Sequence, residues 1–573
     1  MEVRQRATTF SSKYPQILKR TKLFMREINM KLFKFWAKQF CLNTGLHGYK
    51  FIVLPKRILL ERVFWIIVVF ASFVTAVVLL LLSKSSFEEN PTTLVTDTIH
   101  HPIWNYPFPA VTLCSFNKIS RKRALEQAQL LPNKLNHTSS EIANLFVLLS
   151  LLYFNNEIDS GDNGKLIQLI EVLDSNKVNL SNLLRAISPS CKDILIKCKW
   201  KEEERRCDTI FEKIITSEGH CCAFNYFAPK GHVFKGSYPA KAPKKPRHVS
   251  ACGFQTSFEA IVDIDADDYF ATESLAYGIK VLIHSSYNYP DWSLQSYLVG
   301  MKLMAFIGIN PTLTHAMPDI KALSAQQRQC YFRDEFPLKN FKYYSYQNCL
   351  TECRMNLILK LCGCLPVIYI NENGHHQLPR LCSVTDLDCL QKNKALVKSS
   401  MPGEKLKANN QTLDYNWKMQ NYPCNCLPDC EFVDYVFEAS QGVLSRKYSN
   451  NNQRNLYGAL QLINHSVIRI YFNDLVGTRN RRNVSHSWQT YLAFYGGILG
   501  LFVGFSFISV IEFVYFFAFK LLSDAIKKIK PEKNNMKESV KISAAFENPL
   551  RSRHSRNWEF IQQRDESPQW FLH

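Results

Sequence analysis

Two apolar runs frame this chain and leave few folds open to it. Val63 to Leu82, VFWIIVVFASFVTAVVLLLL, is twenty residues without a charge, about 30 Å of helix at 1.5 Å per residue and enough to cross a bilayer. Ala493 to Phe519 is 27 residues interrupted only by Glu512; as one helix it would reach about 40 Å, longer than the hydrocarbon is thick. A mean hydropathy of -0.16 makes the remainder watery and excludes a many-helix transporter. The first run starts 62 residues in and lacks a small-residue cleavage site, so it reads as a span and not a signal peptide.

The 70 Lys and Arg against 49 Asp and Glu would by themselves make nucleic acid a candidate partner. Their placement argues otherwise. Residues 1–62 carry fourteen Lys and Arg against three acids, and residues 520–573 carry eleven against seven. Once these ends and Glu512 are set aside, +7 of the formal +21 remains on the part between. The excess is a positive-inside signature that puts both termini in the cytosol of a two-span plasma-membrane protein, with no nucleic-acid partner expected. Arg479, Arg481 and Arg482 flank the second run on its other side, but a large folded domain translocates largely regardless of such charges.

Seventeen of eighteen cysteines lie between the two runs, a density that wants an oxidising compartment. The sequons at Asn136, Asn179, Asn410, Asn464 and Asn483 fall in the same region, each weak alone. The resulting organisation is a cytosolic segment 1–62, a first transmembrane helix 63–83, an extracellular cysteine-rich domain 84–485, a second transmembrane helix 486–519 and a cytosolic tail 520–573. Metal ligation by CNCLPDC (Cys424, Cys426, Cys430) or LCGC (Cys362, Cys364) is disfavoured, because zinc ribbons use paired C-x2-C knuckles in a reducing cell. Seventeen is odd, so at least one thiol is free or pairs between chains; the neighbours Cys221 and Cys222 stand too close to bridge each other, and one of them is the candidate.

Along residues 15–40, apolar Ile17, Leu18, Leu23, Phe24, Ile28, Leu32, Phe33, Phe35, Trp36 and Phe40 recur at near-helical spacing between lysines and arginines. This reads as a basic amphipathic helix on inner-leaflet lipid or against cytosolic protein such as calmodulin. A glycine-bearing turn, Cys41 to Gly48, follows. In the middle region 278–284, 303–309, 433–438 and 467–472 read as strands, and 141–153 and 346–361 as helices. Cys349 and Cys353 stand at i and i+4 on one helical face, predicting a helix stapled along one side. Lys241 to Arg247 reads as a solvated basic linker, the last 40 residues as mobile, and His220 as a structural histidine rather than a metal ligand or pH sensor.

The second run carries the chemistry. Gly496, Gly500 and Gly504 recur every four residues, a stripe for close helix packing. Ser506, Ser509 and Glu512 continue it at threes, and an unpaired acid at membrane depth costs on the order of 2.5 to 3.5 kcal/mol. The carboxylate must therefore face water or a partner. Small residues, hydroxyls and an inner acid suit cations, and a helix too long for its membrane must tilt, bend or break. A break at Gly504 would present backbone carbonyls, tolerable only where it lines a cavity.

In order along residues 40–520 stand His47-Gly48, Phe108-Pro-Ala-Val-Thr-Leu-Cys114, Gly219-His-Cys-Cys-Ala-Phe-Asn225, Cys349-Leu-Thr-Glu-Cys353, Cys362-Gly-Cys364-Leu-Pro, Cys424-Asn-Cys-Leu-Pro-Asp-Cys430 and Gly496-Gly-Ile-Leu-Gly-Leu-Phe-Val-Gly-Phe-Ser506. With this ordered set the chain resembles the degenerin and epithelial sodium channel superfamily, and within it the insect pickpocket branch. The resemblance implies a disulfide-rich α+β ectodomain between two transmembrane helices, with a stapled helical region from Cys349 to Cys364. It implies a homo- or hetero-trimer of related subunits, and an amiloride-sensitive, sodium-selective pore that needs no cofactor beyond permeant Na+. Gly504-Phe505-Ser506 would be the selectivity constriction, His47-Gly48 the cytosolic gating motif, and Ala493 the position where bulk holds the pore open. Cys114, Cys349, Cys353, Cys362, Cys364, Cys424, Cys426 and Cys430 are the disulfide candidates. Two departures matter: Phe505 is bulky, and Phe494 stands where proton-gated relatives carry an acid, which argues against proton gating.

No G-x-S-x-G elbow, H-E-x-x-H helix or phosphate-binding glycine loop occurs, so no enzyme is expected. The function read is a sodium channel subunit gated by an extracellular ligand, matrix or force on its ectodomain; the alternative is a non-conducting receptor or auxiliary subunit of the same topology.

Overall fold

The computed structural model describes residues 33–153, 162–232, 234, 244–272, 274–369, 379–399, 407–408, 411–412, 424, 426–444, 464–520 and 522–524. Asn410, most of the amphipathic segment before residue 33, Lys241 and the tail beyond 524 lie outside them. The chain forms two compact units, Met1–Leu81 with Leu492–His573, and Leu82–Tyr491.

In chain order the elements used below are α1 (Leu59–Glu89), β1 (Thr92–Pro102), β2 (Ala110–Ser115), α2 (Ser139–Phe146), β3 (Leu195–Trp200), β4 (Glu203–Arg205), β5 (Phe211–Thr216), β6 (Gly219–Phe224), β7 (Phe258–Asp263), β8 (Gly278–His284), β9 (Ser296–Gly300) and β10 (Leu303–Ala316). After them come α3 (Tyr346–Cys362), β11 (Phe432–Val443), β12 (His465–Phe472), β13 (Val476–Val484), α4 (Trp488–Val503) and α5 (Phe507–Val514).

The larger unit is built on two sheets. One has eight strands in the order β1-β13-β10-β12-β7-β3-β4 with β11 also on β10; the other has five, β9-β8-β2-β6-β5. Their inner faces carry alternating apolar residues. Phe108, Leu113, Phe224, Phe258, Ile307, Ile468 and Phe472 share one core and are essentially inaccessible. Aromatic pairs knit it: Phe108 to Trp200 at 4.9 Å, Phe224 to Phe258 at 4.8 Å and Phe108 to Phe472 at 5.5 Å between ring centres, each worth about 0.5–1.5 kcal/mol beyond burial. A second core gathers α2, the turn Val147–Tyr153 and α3 through Ile142, Phe146, Leu149 and Ile358. Thr138 and Glu141 close a capping box at the start of α2, satisfying two of the amides a helix N-terminus leaves open.

Helix α3 starts at Ser345, whose side chain accepts from the Asn348 amide, and ends at Gly363 with φ 65°. Cys349 joins Cys426 and Cys353 joins Cys424, so this helix is stapled along one side as the i, i+4 spacing predicts. Cys362–Cys389, Cys364–Cys382 and Cys330–Cys430 fix its surroundings. Cys364, Cys382 and Asp386 bring ligand atoms within 4.8 Å of one another, but the two thiols are bonded to each other, which removes them as metal ligands.

Two sequence expectations, on the odd thiol and on the extent of one strand, need correction, and the basic linker, exposed at Lys244 and Lys245, gains an anchor. Neither Cys221 nor Cys222 is the odd thiol: they bridge Cys114 and Cys191, because successive residues of β6 point to opposite faces of the sheet and each finds its own partner. Cys198 pairs with Cys207, and the free thiols among the described residues are Cys252 and Cys41. The basic linker is anchored at its end: the Arg247 amide donates to Asn225 Oδ1 at 2.9 Å, its carbonyl accepts from the Phe108 amide at 2.7 Å, and its guanidinium lies 5.6 Å over the Phe224 ring. The strand expected over 303–309 runs on to Ala316, because β11 and β13 supply partners for the less apolar half. His220 behaves as a structural residue. Its Nδ1 lies 3.1 Å from both Tyr153 Oη and Ser188 Oγ, and burial holds the ring well below the usual imidazole range.

In the smaller unit α1 is long and apolar enough to cross a membrane. The second apolar run is not one helix. It is α4, a break over 504–506, α5 and a π-helical turn Tyr515–Lys520, with the two pieces bent by 66°.

Candidate pore constriction

The break is a helix stop followed by a helix start. Gly504 adopts φ +73° and its amide donates to the Gly500 carbonyl at 3.0 Å, the left-handed cap that glycine reaches without a Cβ penalty. Ser506 then caps α5: its Oγ accepts from the Ser509 amide at 3.3 Å while Ser509 Oγ accepts from the Ser506 amide at 3.2 Å. The spacing G-x-S is thus the minimum needed to end one helix and begin another, with Phe505 carried between as a half-exposed residue. The last turn of α4 is left with carbonyls that no residue of α4 can satisfy.

The turn from Thr44 to Gly48 meets that break. The His47 amide donates to the Val503 carbonyl at 3.0 Å, taking one of those open acceptors, and the His47 ring packs on Gly504. Gly48, at φ +81°, lies against α1: a Cβ there would stand 2.6 Å from Val69 Cγ2 and 3.6 Å from Trp65. Two residues of one short turn therefore wedge between α1 and the broken helix. A cleft of about 70 Å³ lined by His47, Tyr49, Trp65, Ser72, Phe502 and Val503 remains beside them.

Glu512 finds its partner in the same turn. Its Oε2 accepts from Thr44 Oγ1 at 3.1 Å and from the Gly45 amide at 3.4 Å, which offsets the cost of carrying a carboxylate on an apolar helix. Just before the turn, residues 33–43 are helical; Phe33, Trp36 and Phe40 pack on the chain's own last helical segment, while Phe35 is exposed. Phe40 packs on Phe513, Phe516 and Phe517 at 5.4–6.0 Å, Phe33 reaches Phe517 at 5.4 Å, and Trp36 Nε1 donates to Asp524 Oδ2 at 3.1 Å.

The structure thus brings His47 and Gly48 into one neighbourhood with Gly504, Ser506, Ser509 and Glu512, which lie more than 450 residues further along the chain. It leaves Ala493 and Gly496 further back along α4, whereas Gly500 joins the break through its carbonyl, which accepts from the Gly504 amide. Ala493 is exposed on α4, and a Cβ on Gly496 would meet nothing within 4 Å. Sequence reasoning did not single out Thr44, the hydroxyl of the Cys41–Gly48 turn that meets the Glu512 carboxylate. The signal was partial, since a carboxylate in an apolar run wants a donor, though not which one.

Of the sequons, Asn136, Asn179 and Asn464 are exposed; Asn179 also caps a helix by accepting from the Asn182 amide at 3.1 Å. Asn483 sits in β13 opposite Thr93 and is half-buried.

Comparison with known proteins agrees with this architecture along most of the chain. Residues 40–516 match the family model described as amiloride-sensitive sodium channel. The chain is 25% identical over 521 residues to the sodium channel protein Nach of Drosophila ananassae, covering 90% of this chain and 93% of that one. It is 25% identical to pickpocket protein 11 of Drosophila melanogaster over 83% of this chain and 74% of that one. It is 23% identical to the human bile acid-sensitive ion channel over 83% and 84%. The matched region begins at the helix that packs on the last apolar segment and ends beyond the break and Glu512, so it contains both halves of the candidate site, and the chain belongs to the amiloride-sensitive sodium channel family, on its insect pickpocket-like side.

Proposed function

We propose that this chain is a pore-forming subunit of a sodium-selective, amiloride-sensitive cation channel of the plasma membrane. It crosses the bilayer twice with both termini in the cytosol, exposes the cysteine-rich unit outside and assembles as a trimer, alone or with related subunits. The observation that carries this reading is the capped break at Gly504-Phe505-Ser506. Broken backbone inside an apolar segment is tolerated where it lines a water-filled cavity, and those carbonyls of the last α4 turn not taken by the Gly504 and His47 amides, with the Ser506 hydroxyl, are the oxygens a dehydrating cation needs. The glycines Gly496 and Gly500 meet no neighbour within the single chain closer than 3.9 Å. An unpartnered small-residue stripe on an apolar helix suits close approach by another copy's helix.

Gating follows from the same contacts. β1 and β13 pair antiparallel from Thr92 opposite Val484 to Pro102 opposite Val476, and they are the strands that continue into α1 and α4. A stimulus on the cysteine-rich unit would act through this pair, and the turn at His47 would follow any change in the break. Sodium then moves down the voltage at about 2.3 kcal/mol per charge for 100 mV.

The test is to record from cells expressing this chain alone and with related subunits while external sodium is exchanged for a large organic cation. Inward current that follows sodium and is blocked by amiloride supports the reading. Surface protein with no current in any combination would leave the non-conducting receptor in its place. Within the conducting case, a larger residue at Ser506 should shift the reversal potential or abolish current, and Ala493→Val should leave a standing inward current.

A further inference from the structure

Apart from the candidate pore, the larger unit carries a cleft of about 190 Å³ whose chemistry is cationic and apolar at once. Its floor is fixed. The Pro107 carbonyl accepts from Tyr435 Oη at 2.9 Å, Pro107 forms a β-bridge with His248, and His248 Nδ1 lies 3.1 Å from the Trp104 carbonyl. Ser286, also in the lining, is oriented by Asn225 Nδ2 at 3.3 Å and by the Phe108 carbonyl at 3.4 Å. These contacts hold the cleft in shape before anything enters it, and preorganisation lowers the cost of binding.

Lys245 and Arg333 reach the cleft from two separate segments. Both are exposed, and neither makes an ion pair with a carboxylate among the described residues. Asp429 is within electrostatic range of Arg333, but its Oδ2 is engaged by the Tyr346 amide at 3.2 Å, at the start of α3. Arg333 lies 6.0 Å over the Tyr287 ring and Lys342 lies 5.7 Å over the same ring. Like charges gathered around one small cleft repel each other, and an anion between them relieves that. The lining also includes Pro107, Pro246 and Val433 and the Tyr287 ring, which add apolar surface beside the cations. A bare inorganic ion would leave that surface wet, and about 190 Å³ is below the roughly 300 Å³ that a drug-sized ligand fills, which favours a small one.

We propose that this cleft binds a small aromatic carboxylate, with Arg333 and Lys245 taking the carboxylate and Tyr287 with the two prolines taking the ring. The planar guanidinium of Arg333 suits a carboxylate bidentately. Because Arg333 precedes α3, Pro107 precedes β2 and the cleft also includes Val433 of β11, an occupant would tie three segments of the larger unit together. Any effect of that tie on current rests on the channel reading above, whereas binding does not.

The test uses the full-length chain in detergent micelles with benzoate as the probe, read by saturation-transfer NMR of the ring protons, with benzamide as the neutral twin of the same shape. Benzoate should saturate with a Kd of about 1 mM and benzamide should show no saturable transfer. Arg333→Ala should weaken benzoate about tenfold, Lys245→Ala by a smaller factor, and Arg333→Lys should recover part of the loss. Both residues are exposed, so unchanged melting temperatures will verify that the variants fold. Equal binding of benzamide, unaltered binding in the double alanine variant, or no saturable benzoate would each overturn the proposal. So would displacement by inorganic phosphate at the same concentration as benzoate, which would reduce the site to one for bare oxyanions. None of these outcomes touches the sodium currents that test the channel reading.

Discussion

The His47 imidazole stands where a side chain on Gly504 would begin: a Cβ on that glycine would lie 2.7 Å from the ring's Cδ2, 2.9 Å from its Cγ and 3.0 Å from the His47 backbone nitrogen. The glycine is required twice over, once for its left-handed φ and once for the space it leaves. The two motifs, 457 residues apart in sequence, are thereby one mechanical contact.

Gly504→Ala should therefore cost both the backbone strain of a positive φ, about 1 kcal/mol or more, and the displacement of His47. We expect whole-cell sodium current to fall at least about tenfold with surface-biotinylated protein within about twofold of wild type. Gly497→Ala is the control, because a Cβ there meets nothing within 4 Å; it should leave the current intact. Equal currents from both variants would detach His47 from the break.

Thr44 and Glu512 should be energetically coupled in gating. The hydroxyl donates to the carboxylate at 3.1 Å, and hydrogen bonds to a charged group are worth about 1.5–3 kcal/mol when shielded from water. Thr44→Val and Glu512→Gln should each change open probability, and the double variant should depart from additivity by about 1 kcal/mol or more, measured in single-channel records. Strict additivity would mean that the contact is not made in the membrane.

What could be read from residues alone divides along physical lines. The helix over Tyr346–Cys362 and the strand Gly278–His284 were legible because their periodicity, caps and cysteine spacing are local. The break at Gly504 was legible because an apolar run longer than one bilayer-crossing helix needs carries a glycine and a serine two residues apart. The partners of Cys221 and Cys222 were not, since a pairing across 107 residues depends on which strands become neighbours. Nor was the second half of β10. Asn310 to Ala316 has little strand pattern and includes Pro311, and it is extended because β11 pairs along it and β13 joins its last residues. Thr44 escaped because its role exists only once the Cys41–Gly48 turn meets α5.

Cys252 is the odd thiol of the cysteine-rich unit and is half-exposed. Cys252→Ser should reach the surface normally. Cys222→Ser breaks the bridge to Cys191 at a cost of about 2–5 kcal/mol, and should be retained and degraded. A membrane-impermeant maleimide applied to intact cells should label one cysteine per wild-type chain and none in Cys252→Ser. Labelling that persists in the serine variant would show a second reachable thiol, and labelling only after permeabilisation would overturn the extracellular placement of this unit.

The Asp429 carboxyl supplies a pH dependence with a definite sign. Burial pushes it up to about 6 from an ordinary value near 3.8, against the opposing pull of the Tyr346 amide and of Arg333 and Arg482. An acid whose folded pKa is raised binds its proton more tightly in the native state, so its contribution to stability is full below about 3.8. That contribution declines as pH rises towards 6 and is absent above. The whole shift corresponds to about 3 kcal/mol, and partial solvent access reduces this to about 1–2 kcal/mol. Asp429→Asn keeps an oxygen to accept from the Tyr346 amide but has no charge to desolvate. In the detergent-solubilised chain its melting temperature should match wild type near pH 4 and exceed it by a few degrees at pH 7, with the difference opening between those values. A wild-type curve that rises through the same window relative to the asparagine variant would mean that Arg333 and Arg482 outweigh burial, leaving Asp429 ionised wherever the protein is folded.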